Sequence, residues 1–173
     1  MIRTHTVVDT PLCTMTIVAQ DGALAALQLH EQGHHLPAAA LGVRDDSTLP
    51  DVREQMLEYF AGERQEFDVV LAPIGTPFQA AVWAALRTVP YGTTTTYGAL
   101  AAQIGRPTAV RAVGGANGRN PIGVIVPCHR VVGADGTLTG YAGGLERKRF
   151  LLELESRSSP LLAAPPVRAV AAR

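Results

Sequence analysis

Two short helical segments separated by a three-residue turn constrain the fold of this chain more than any other feature. Thr96 is a candidate N-cap for a helix over 97–104, the segment 105–107 reads Gly-Arg-Pro, and Thr108 is a candidate N-cap for a helix over 109–118. Two short helices joined by a three-residue turn that contains glycine are the pattern of a helix-turn-helix. The sequence therefore predicts a small helical domain suited to docking on nucleic acid.

The second of these helices has one face almost bare of side chains. Ala109, Val113 and Ala116 share one side and can pack inward, whereas the other side carries Arg111 and three glycines, namely Gly114, Gly115 and Gly118. Each interior glycine costs a helix about 0.8–1 kcal/mol relative to alanine, a cost that is tolerated where something approaches the backbone closely. Two interpretations fit: the minor groove of DNA, which is only about 6 Å wide, or close packing against another helix of the protein.

The distribution of charge favours DNA over helix packing. Residues 1–72 hold four basic residues against eleven acidic ones, a net charge of −7, whereas residues 73–160 hold nine against four, a net charge of +5. A basic half in a chain of zero net charge is typical of a nucleic-acid-facing domain. Chance placement of solvated charges is the alternative.

The N-terminal half has a mixed α/β pattern. Residues 14–19 alternate, 20–22 read Gln-Asp-Gly as in a hairpin turn, and 23–29 form the second strand. We expect a loop over 33–50, a helix over 49–62 ended by Gly62, and a strand over 66–71. The Pro- and Gly-containing segment 72–75 is the best domain boundary.

The C-terminal half opens with Thr76 as an N-cap before a proline, followed by an apolar helical stripe over 78–89. Residues 121–126 read as a buried strand or extended segment, and 133–144 as a glycine-rich loop. A closing helix over 146–155 should turn Phe150, Leu151 and Leu154 inward. We therefore divide the chain into domains 1–72 and 73–157, with a disordered tail over 158–173.

The whole-chain totals exclude several classes of protein. No apolar run is long enough to span a bilayer, and no basic flank with a long apolar stretch marks a secretory signal. The two cysteines, Cys13 and Cys128, do not make a disulfide framework. A cytoplasmic protein with reduced thiols is the simplest interpretation, and we expect Cys13 to be structural.

Cys128 is the candidate nucleophile, in the segment Val-Pro-Cys-His-Arg-Val over 126–131. Neighbouring side chains rarely face each other, so His129 could act as its base only through a bridging water, and a carboxylate should orient the imidazole. The candidates C-terminal to the site are Asp135, Glu146, Glu153 and Glu155. Alternatively, Cys128 is a small buried apolar residue at the end of a strand. Neither a metal site nor a cofactor is expected, because the histidines and cysteines lack ligand spacing.

Three stretches closely resemble a known family. They are Arg111-Ala-Val-Gly-Gly-Ala-Asn-Gly-Arg-Asn120-Pro, Ile125-Val-Pro-Cys128-His-Arg-Val and Gly140-Tyr-Ala-Gly-Gly-Leu145. Together they resemble the O6-alkylguanine-DNA alkyltransferases, also called methylated-DNA–protein-cysteine methyltransferases, over residues 66–156. The resemblance implies an α/β, ribonuclease H-like N-terminal domain with a small sheet plus helix. A mostly α, winged-helix-like domain with the helix-turn-helix would follow it.

The resemblance also implies a reaction. The alkyl group of O6-alkylguanine, and of O4-alkylthymine, in duplex DNA would pass irreversibly to Cys128 after the nucleotide is flipped through the minor groove. His129 would be the water-linked base, Glu155 its orienting carboxylate, and Asn120 the residue that orders the cysteine turn. Tyr97 would help to rotate the nucleotide and donate a proton to the guanine ring. The protein would work once, as a monomer without a cofactor.

The remaining implied residues divide into a DNA-contacting set and a substrate pocket. Arg111 matches the finger that fills the place of the extruded base. Its DNA-contacting companions are Thr108, Ala112, Gly115, Ala116, Arg119 and Tyr97. The pocket set is Val126, Pro127, Tyr141, Ala142 and Gly143. Some members of the family carry serine where this chain has Ala142, which leaves only backbone groups to contact the guanine oxygen there.

Two other functions compete with the alkyltransferase. A cysteine hydrolase or peptidase would need an oxyanion hole and turnover, and no motif supports it. A DNA-binding regulator or damage sensor would lack the transfer chemistry, and the presence of Cys128 argues against it.

Overall fold

The structure is a computed structural model that describes residues 2–33 and 36–158, and it divides into two compact units. The first unit contains the chain up to Ile74 together with Pro121–Ile125, and the second contains Gly75–Asn120 and the chain from Val126 onward. The boundary falls two residues after the one expected at 72/73. No local feature of the sequence indicates that residues 121–125 belong to the first unit.

The first unit is built on a four-stranded sheet of order β3-β2-β1-β4. Strands β1 (Arg3–Asp9), β2 (Thr14–Gln20) and β3 (Ala23–Leu29) are antiparallel neighbours, and β4 (Val43–Arg44) runs parallel to β1. The predicted β2–β3 hairpin is confirmed. Asp21 and Gly22 both have positive φ, 50° and 82°, as a tight hairpin turn requires.

Two N-terminal predictions are wrong. The expected loop over 33–50 contains a 3-10 turn, Ala38–Ala40, as well as β4. The expected strand over 66–71 does not form, because the Gln55 side chain bonds both the N–H and the carbonyl of Asp68, at 2.9 and 3.0 Å. Only Leu71 pairs with the sheet, through a bridge to Leu24.

Helix α1 (Pro50–Ala61) completes this unit and agrees with the predicted helix to within one residue at each end. Its buried positions, Val52, Met56, Tyr59 and Phe60, follow the predicted apolar spacing. Gly62 ends the helix at φ 79°, where its N–H bonds the carbonyls of Glu58 and Tyr59.

In the second unit the described residues form the α-helices α2 (Pro77–Leu86), α3 (Tyr97–Gln103), α4 (Val110–Gly118) and α5 (Leu145–Ser158). Two short parallel strands, β5 (Thr95–Thr96) and β6 (Val131–Val132), join the segment before α3 to the segment after Cys128. The predicted fold class, a small sheet unit followed by a mainly helical one, is confirmed.

The helix-turn-helix pair is formed by α3 and α4, with caps that agree only in part with the sequence. Thr96 accepts a hydrogen bond from the N–H of Ala99, as predicted. Thr108 does not cap α4, because the chain makes one more turn through Arg106 and Ala109 and the helix starts at Val110. Trp83 of α2 donates its indole N–H to the carbonyl of Ala116, which joins α2 to α4.

The segment over 121–126 is buried but is not a strand. Ile122 makes one bridge to Leu27, and Val124 has a φ of 69°, which is incompatible with an extended strand. A Cβ on Gly123 would lie 2.8 Å from a methyl carbon of Leu29, so the backbone passes close to the sheet.

Helix α5 buries a different face from the one expected. Leu151 is buried as predicted, but Phe150 is 37% exposed and Leu154 only half-buried, while Lys148 and Glu155 are fully buried. The predicted disordered tail lies outside the described residues apart from Ser158, which ends α5. Within residues 2–33 and 36–158, no helix has the length and apolarity needed to cross a bilayer.

Candidate active site

Cys128 begins a 3-10 turn, Cys128–Arg130, that lies between Pro127 and β6. The backbone N–H of Cys128 bonds the carbonyl of Val126 at 2.8 Å, and that of Arg130 bonds the carbonyl of Pro127 at 3.0 Å. The cysteine is 6% exposed and forms no disulfide. A sharp turn therefore holds one nearly buried thiol in a fixed position.

Asn120 follows α4 and reaches the thiol directly. Its amide nitrogen donates to the Cys128 sulfur at 3.2 Å and to the carbonyl of Val126 at 2.7 Å. A hydrogen bond donated to the sulfur stabilises the negative thiolate relative to the neutral thiol. The family resemblance implies that Asn120 orders this turn, and the structure adds a direct contact between its amide nitrogen and the sulfur.

His129 and Glu155 are in contact and both are fully buried. His129 Nε2 lies 2.8 Å from Glu155 Oε1. Because a carboxylate accepts, this contact places the imidazole proton on Nε2 and leaves Nδ1 with its lone pair. Nδ1 is buried and meets no hydrogen-bonding group in the described part of the chain. Burial lowers the pKa of His129, so the ring is neutral at pH 7 and available as a base.

Arg130 holds the other side of Glu155, a contact that the sequence reasoning missed. Its Nε bonds Oε2 at 2.9 Å and its Nη2 bonds Oε1 at 2.8 Å, while Nη1 bonds the carbonyl of Val89 at 2.6 Å. The N–H of Gly92 adds a bond to Oε2 at 3.1 Å. Burial acts to raise the pKa of Glu155, but His129 and Arg130 outweigh it and hold the pKa far below its usual range.

Burial raises the pKa of the Cys128 thiol, and the hydrogen bond from Asn120 and the charge of Lys148 oppose that rise. Lys148 was also missed from the sequence, although its spacing from Leu151 and Glu155 places the three on one face of α5. Asn117 was missed as well; it is buried and its amide nitrogen lies 3.4 Å from the carbonyl oxygen of Cys128.

Tyr97, the first residue of α3, is half-buried beside the loop that leads into α5. Its hydroxyl is 3.5 Å from the carbonyls of Thr139 and Gly140, a long contact. Burial raises the pKa of Tyr97, so the phenol keeps its proton at neutral pH. A Cβ on Gly114 of α4 would lie 3.7 Å from the tyrosine ring, so this glycine faces Tyr97 rather than open space.

The predicted pocket residues divide between two segments of the same unit. Val126 and Pro127 are buried directly before Cys128, whereas Tyr141, Ala142 and Gly143 are half-buried on the loop that leads into α5. Arg147 of α5 approaches this loop, with Nη1 3.5 Å from the carbonyl of Gly143.

Four of the predicted DNA-contacting residues are exposed, two, Tyr97 and Gly115, are half-buried, and Ala116 is buried. Thr108, Arg111, Ala112 and Arg119 are exposed and Gly115 is half-buried on or beside α4. Gly118 has no atom within 4 Å of the position of a Cβ. Ala116 is only 3% exposed, so its inclusion among the DNA contacts is wrong: it packs inward, and its carbonyl is bonded by Trp83.

Groups of three or more side chains able to hold a metal ion do not occur in the part of the chain that the structure describes. His34 and His35 lie outside it.

Comparison with known proteins decides the family. The model of the 6-O-methylguanine DNA methyltransferase ribonuclease-like domain matches residues 4–73, and the model of the DNA binding domain matches residues 77–157. The chain belongs to the 6-O-methylguanine DNA methyltransferase family. The methylated-DNA–protein-cysteine methyltransferase of Mycolicibacterium paratuberculosis is 49% identical over 160 residues, covering 92% of this chain and 96% of that protein.

Solved structures of this methyltransferase family agree with the fold. The O6-methylguanine methyltransferase of Mycobacterium tuberculosis has a TM-score of 0.85 at 48% identity, covering 92% of this chain and 96% of that one. A crystal structure of the M. tuberculosis protein OGT in complex with DNA gives a TM-score of 0.83 at 48% identity, covering 91% and 96% of the two chains.

Proposed function

We propose that this member of the methyltransferase family repairs duplex DNA by taking the alkyl group of O6-alkylguanine, and of O4-alkylthymine, onto Cys128. The observation that carries the proposal is the single nearly buried thiol that accepts a hydrogen bond from Asn120 beside a neutral His129. Displacement at a saturated carbon needs a strong nucleophile, and a thiolate is one. The DNA complex of the M. tuberculosis relative supports DNA as the partner.

The chemistry balances in protons and charge. His129 Nδ1 accepts the thiol proton of Cys128 through a water, while Glu155 holds the proton on Nε2 and stabilises the imidazolium. The thiolate forms a bond to the alkyl carbon as the bond from that carbon to O6 breaks. Tyr97 donates its hydroxyl proton to the guanine ring, and the proton held by His129 then restores the phenol. The products are guanine and a thioether.

The exposed face of α4 carries few side chains, so the helix can approach the floor of a narrow groove. Gly118 leaves the backbone open, a Cβ on Gly115 would meet only the Arg119 side chain at 3.4 Å, and Arg111 is exposed on the same helix. The O6 atom of a stacked base is out of reach, so the nucleotide must be flipped, which costs a few kcal/mol. We assign Arg111 to the gap that the flipped base leaves, and backbone contacts to positioning without sequence preference.

Each protein molecule can accept only one alkyl group. A thioether has no good leaving group, and no nearby base can regenerate the thiol, so one molecule repairs one lesion without a cofactor. We propose that the protein acts as a monomer in the cytoplasm, where its DNA substrate and a reduced Cys128 can both be maintained. Ala142 supplies no hydroxyl, so the pocket loop would contact the guanine oxygen through backbone groups.

A titration of lesion against protein tests this function. A duplex that carries one O6-methylguanine is mixed with the protein in increasing excess of DNA, and the repaired guanine is counted after the reaction stops. The repaired amount should plateau at one per protein molecule. Continued turnover would indicate a hydrolytic enzyme, and binding without loss of the lesion would indicate a damage sensor; either result would overturn the proposal. Cys128→Ser should bind the duplex without repairing it.

A further inference from the structure

Lys148 is the only lysine in the chain; the other fourteen basic residues are arginines. It is also fully buried, with 0% of its surface exposed. Its ammonium group donates to the carbonyls of Val131 at 2.5 Å, Thr139 at 2.6 Å and Gly140 at 3.4 Å. A compact ammonium with three donors fits three converging carbonyls, whereas a planar guanidinium does not.

This buried cation has no carboxylate partner within the described residues. Burying an unpaired charge is costly, because carbonyl dipoles replace only part of the lost hydration. The three carbonyls do, however, place Lys148 between the strand that follows the Cys128 turn and the loop whose carbonyls lie near the Tyr97 hydroxyl. The lysine therefore joins Val131, three residues after Cys128, to the loop that leads into α5.

The charges of the buried cluster leave one positive charge unbalanced. Arg130 and Lys148 contribute two positive charges, Glu155 contributes one negative charge, and burial keeps His129 neutral. Arg130 is paired with Glu155 through three short contacts. In the free protein the cluster becomes neutral when the Cys128 proton leaves for solvent and is not retained on His129.

We infer that Lys148 is the buried counter-ion of the Cys128 thiolate, a positioning residue that favours ionisation of the nucleophile and fixes the carbonyls of the pocket loop. The inference rests on the proposed function, because it assigns a role within the same transfer site. Lys148 exchanges no atom with the substrate: it stays an ammonium while sulfur gains the alkyl group.

The pKa shifts of Lys148 and Cys128 have the directions expected for an interacting cation and thiolate. Burial lowers the pKa of Lys148 to about 8, and the charge of Cys128 acts to raise it again. The reverse effect acts on the thiol, whose pKa is lowered by Lys148 against the effect of burial. The other titratable groups at the cluster are Tyr97 from α3, His129 from the cysteine turn, the Arg130–Glu155 pair, and Tyr91, whose ring centroid lies 5.7 Å from the guanidinium carbon of Arg130.

The first test measures the pKa of Cys128 without DNA. Purified protein reacts with iodoacetamide across a range of pH, and the modification of Cys128 is followed by mass spectrometry of its peptide. In Lys148→Met the inflection should move up by about one pH unit or more, which leaves about tenfold less thiolate at pH 7. The plateau at high pH should not fall, because a thiol of higher pKa gives a more nucleophilic thiolate.

Arg149→Met is the matched control, because it removes a positive charge from the next position of the same helix. Arg149 is half-buried, with 38% of its side chain exposed, and within the described residues its ion pair is with Glu146, at 3.0 Å. Its loss should leave the inflection of Cys128 where it is in the wild type. A lower plateau in Lys148→Met with an unmoved inflection would mean that the lysine is only structural, and would overturn the inference.

The reciprocal test does not depend on the folding of a Lys148 variant. Protein labelled with ¹³C-lysine gives one lysine signal, since the chain has one lysine. Coupling is mutual, so replacing the ionisable thiol in Cys128→Ser should lower the pKa of Lys148 read from that signal. An identical lysine titration in the two proteins would contradict the inference.

These outcomes separate the inference from the proposed function. If the wild type fails to take a methyl group from the lesion, the function fails whatever the titrations give. If transfer occurs but neither titration responds, only the role of Lys148 fails.

Discussion

Glu155 Oε1 lies 2.8 Å from His129 Nε2, although 26 residues separate the two in the chain and both side chains are fully buried. The last helix thus supplies the carboxylate that fixes the tautomer of a histidine in the cysteine turn. Because Arg130 and the N–H of Gly92 take the remaining lone pairs of Glu155, the carboxylate has a single orientation.

Glu155→Gln should slow alkyl transfer by about 10²- to 10⁴-fold, the range that general base catalysis contributes. An amide can donate as well as accept, so it no longer keeps the proton on His129 Nε2 and the lone pair on Nδ1. It also leaves Arg130 without its charged partner, at a cost of about 3–5 kcal/mol in the free energy of unfolding. Glu153→Gln is the control, since Glu153 lies exposed on the same helix. Single-turnover repair and urea unfolding measure the two effects; equal effects in both variants would contradict the role of Glu155.

Arg130→Met should move the acidic limb of the rate–pH profile to higher pH. The positive charge of Arg130 helps to lower the pKa of His129, so its removal lets the imidazole take a proton at higher pH and lose its function as a base. Arg157→Met, at an exposed position of α5, should leave the profile unchanged. A uniform fall in rate at every pH would indicate lost structure instead of altered titration.

Asn120→Ala should raise the pKa of the Cys128 thiol and slow transfer at neutral pH by about tenfold or more. The amide nitrogen donates to the sulfur at 3.2 Å, and loss of a donor to an anion costs about 1.5–3 kcal/mol. Asn117→Ala is the comparison, because Asn117 contacts the carbonyl of Cys128 and not the sulfur. It should reduce the stability of the protein more than it changes the thiol titration, measured with iodoacetamide.

Arg111→Ala should weaken repair in duplex DNA far more than reaction with the free modified base. The exposed arginine can act only when a base has left the stack, and a free base needs no flipping. Repair rates for the two substrates, expressed as a ratio to the wild type, measure the effect. Equal losses with both would exclude Arg111 as the residue that fills the gap.

Stability should fall as the pH drops below about 6.5, the usual pKa of an unfolded histidine. His129 has a lowered pKa in the folded protein, so the unfolded state binds the proton first as the pH falls. The free energy of unfolding should therefore decrease by up to about 1.4 kcal/mol per pH unit. Glu155, also lowered, adds a further loss below its own unfolded pKa. At the alkaline end two effects oppose each other. Loss of the proton from the buried Lys148 should raise stability from about pH 8, whereas the raised pKa of Cys128 and of Tyr97 should lower stability once the pH exceeds their unfolded values. His129→Gln should flatten the acidic slope in thermal unfolding, whereas His30→Gln, at an exposed position, should not.

The sequence predicted best those elements whose local signals and burial agree. The Thr76 cap, the Thr96 cap and the Gly62 end of α1 depend on neighbouring residues alone, and all three form as expected. Local signals predicted the wrong structure where a side chain distant in the sequence forms hydrogen bonds with the backbone. Gln55 bonds Asp68 and so prevents the expected strand over 66–71.

The polar interior was the hardest part to predict. Apolar spacing indicated that Phe150 is buried, yet α5 instead buries Lys148 and Glu155, because the turn around Cys128 supplies carbonyls and cations that satisfy them. Arg130 was visible in the sequence beside His129, but its partner is 25 residues away, so no local pattern connects the two. The family resemblance supplied Glu155, which sequence reasoning alone left among four candidates.

The position of the transferred group tests the central claim most directly. The protein is incubated with a duplex whose O6-methylguanine carries an isotope-labelled methyl group, digested, and mapped by mass spectrometry. We predict one labelled methyl per protein molecule, on Cys128, with an unmodified guanine left in the DNA. A label on another residue such as Cys13, or repair that leaves the protein unlabelled, would contradict the account.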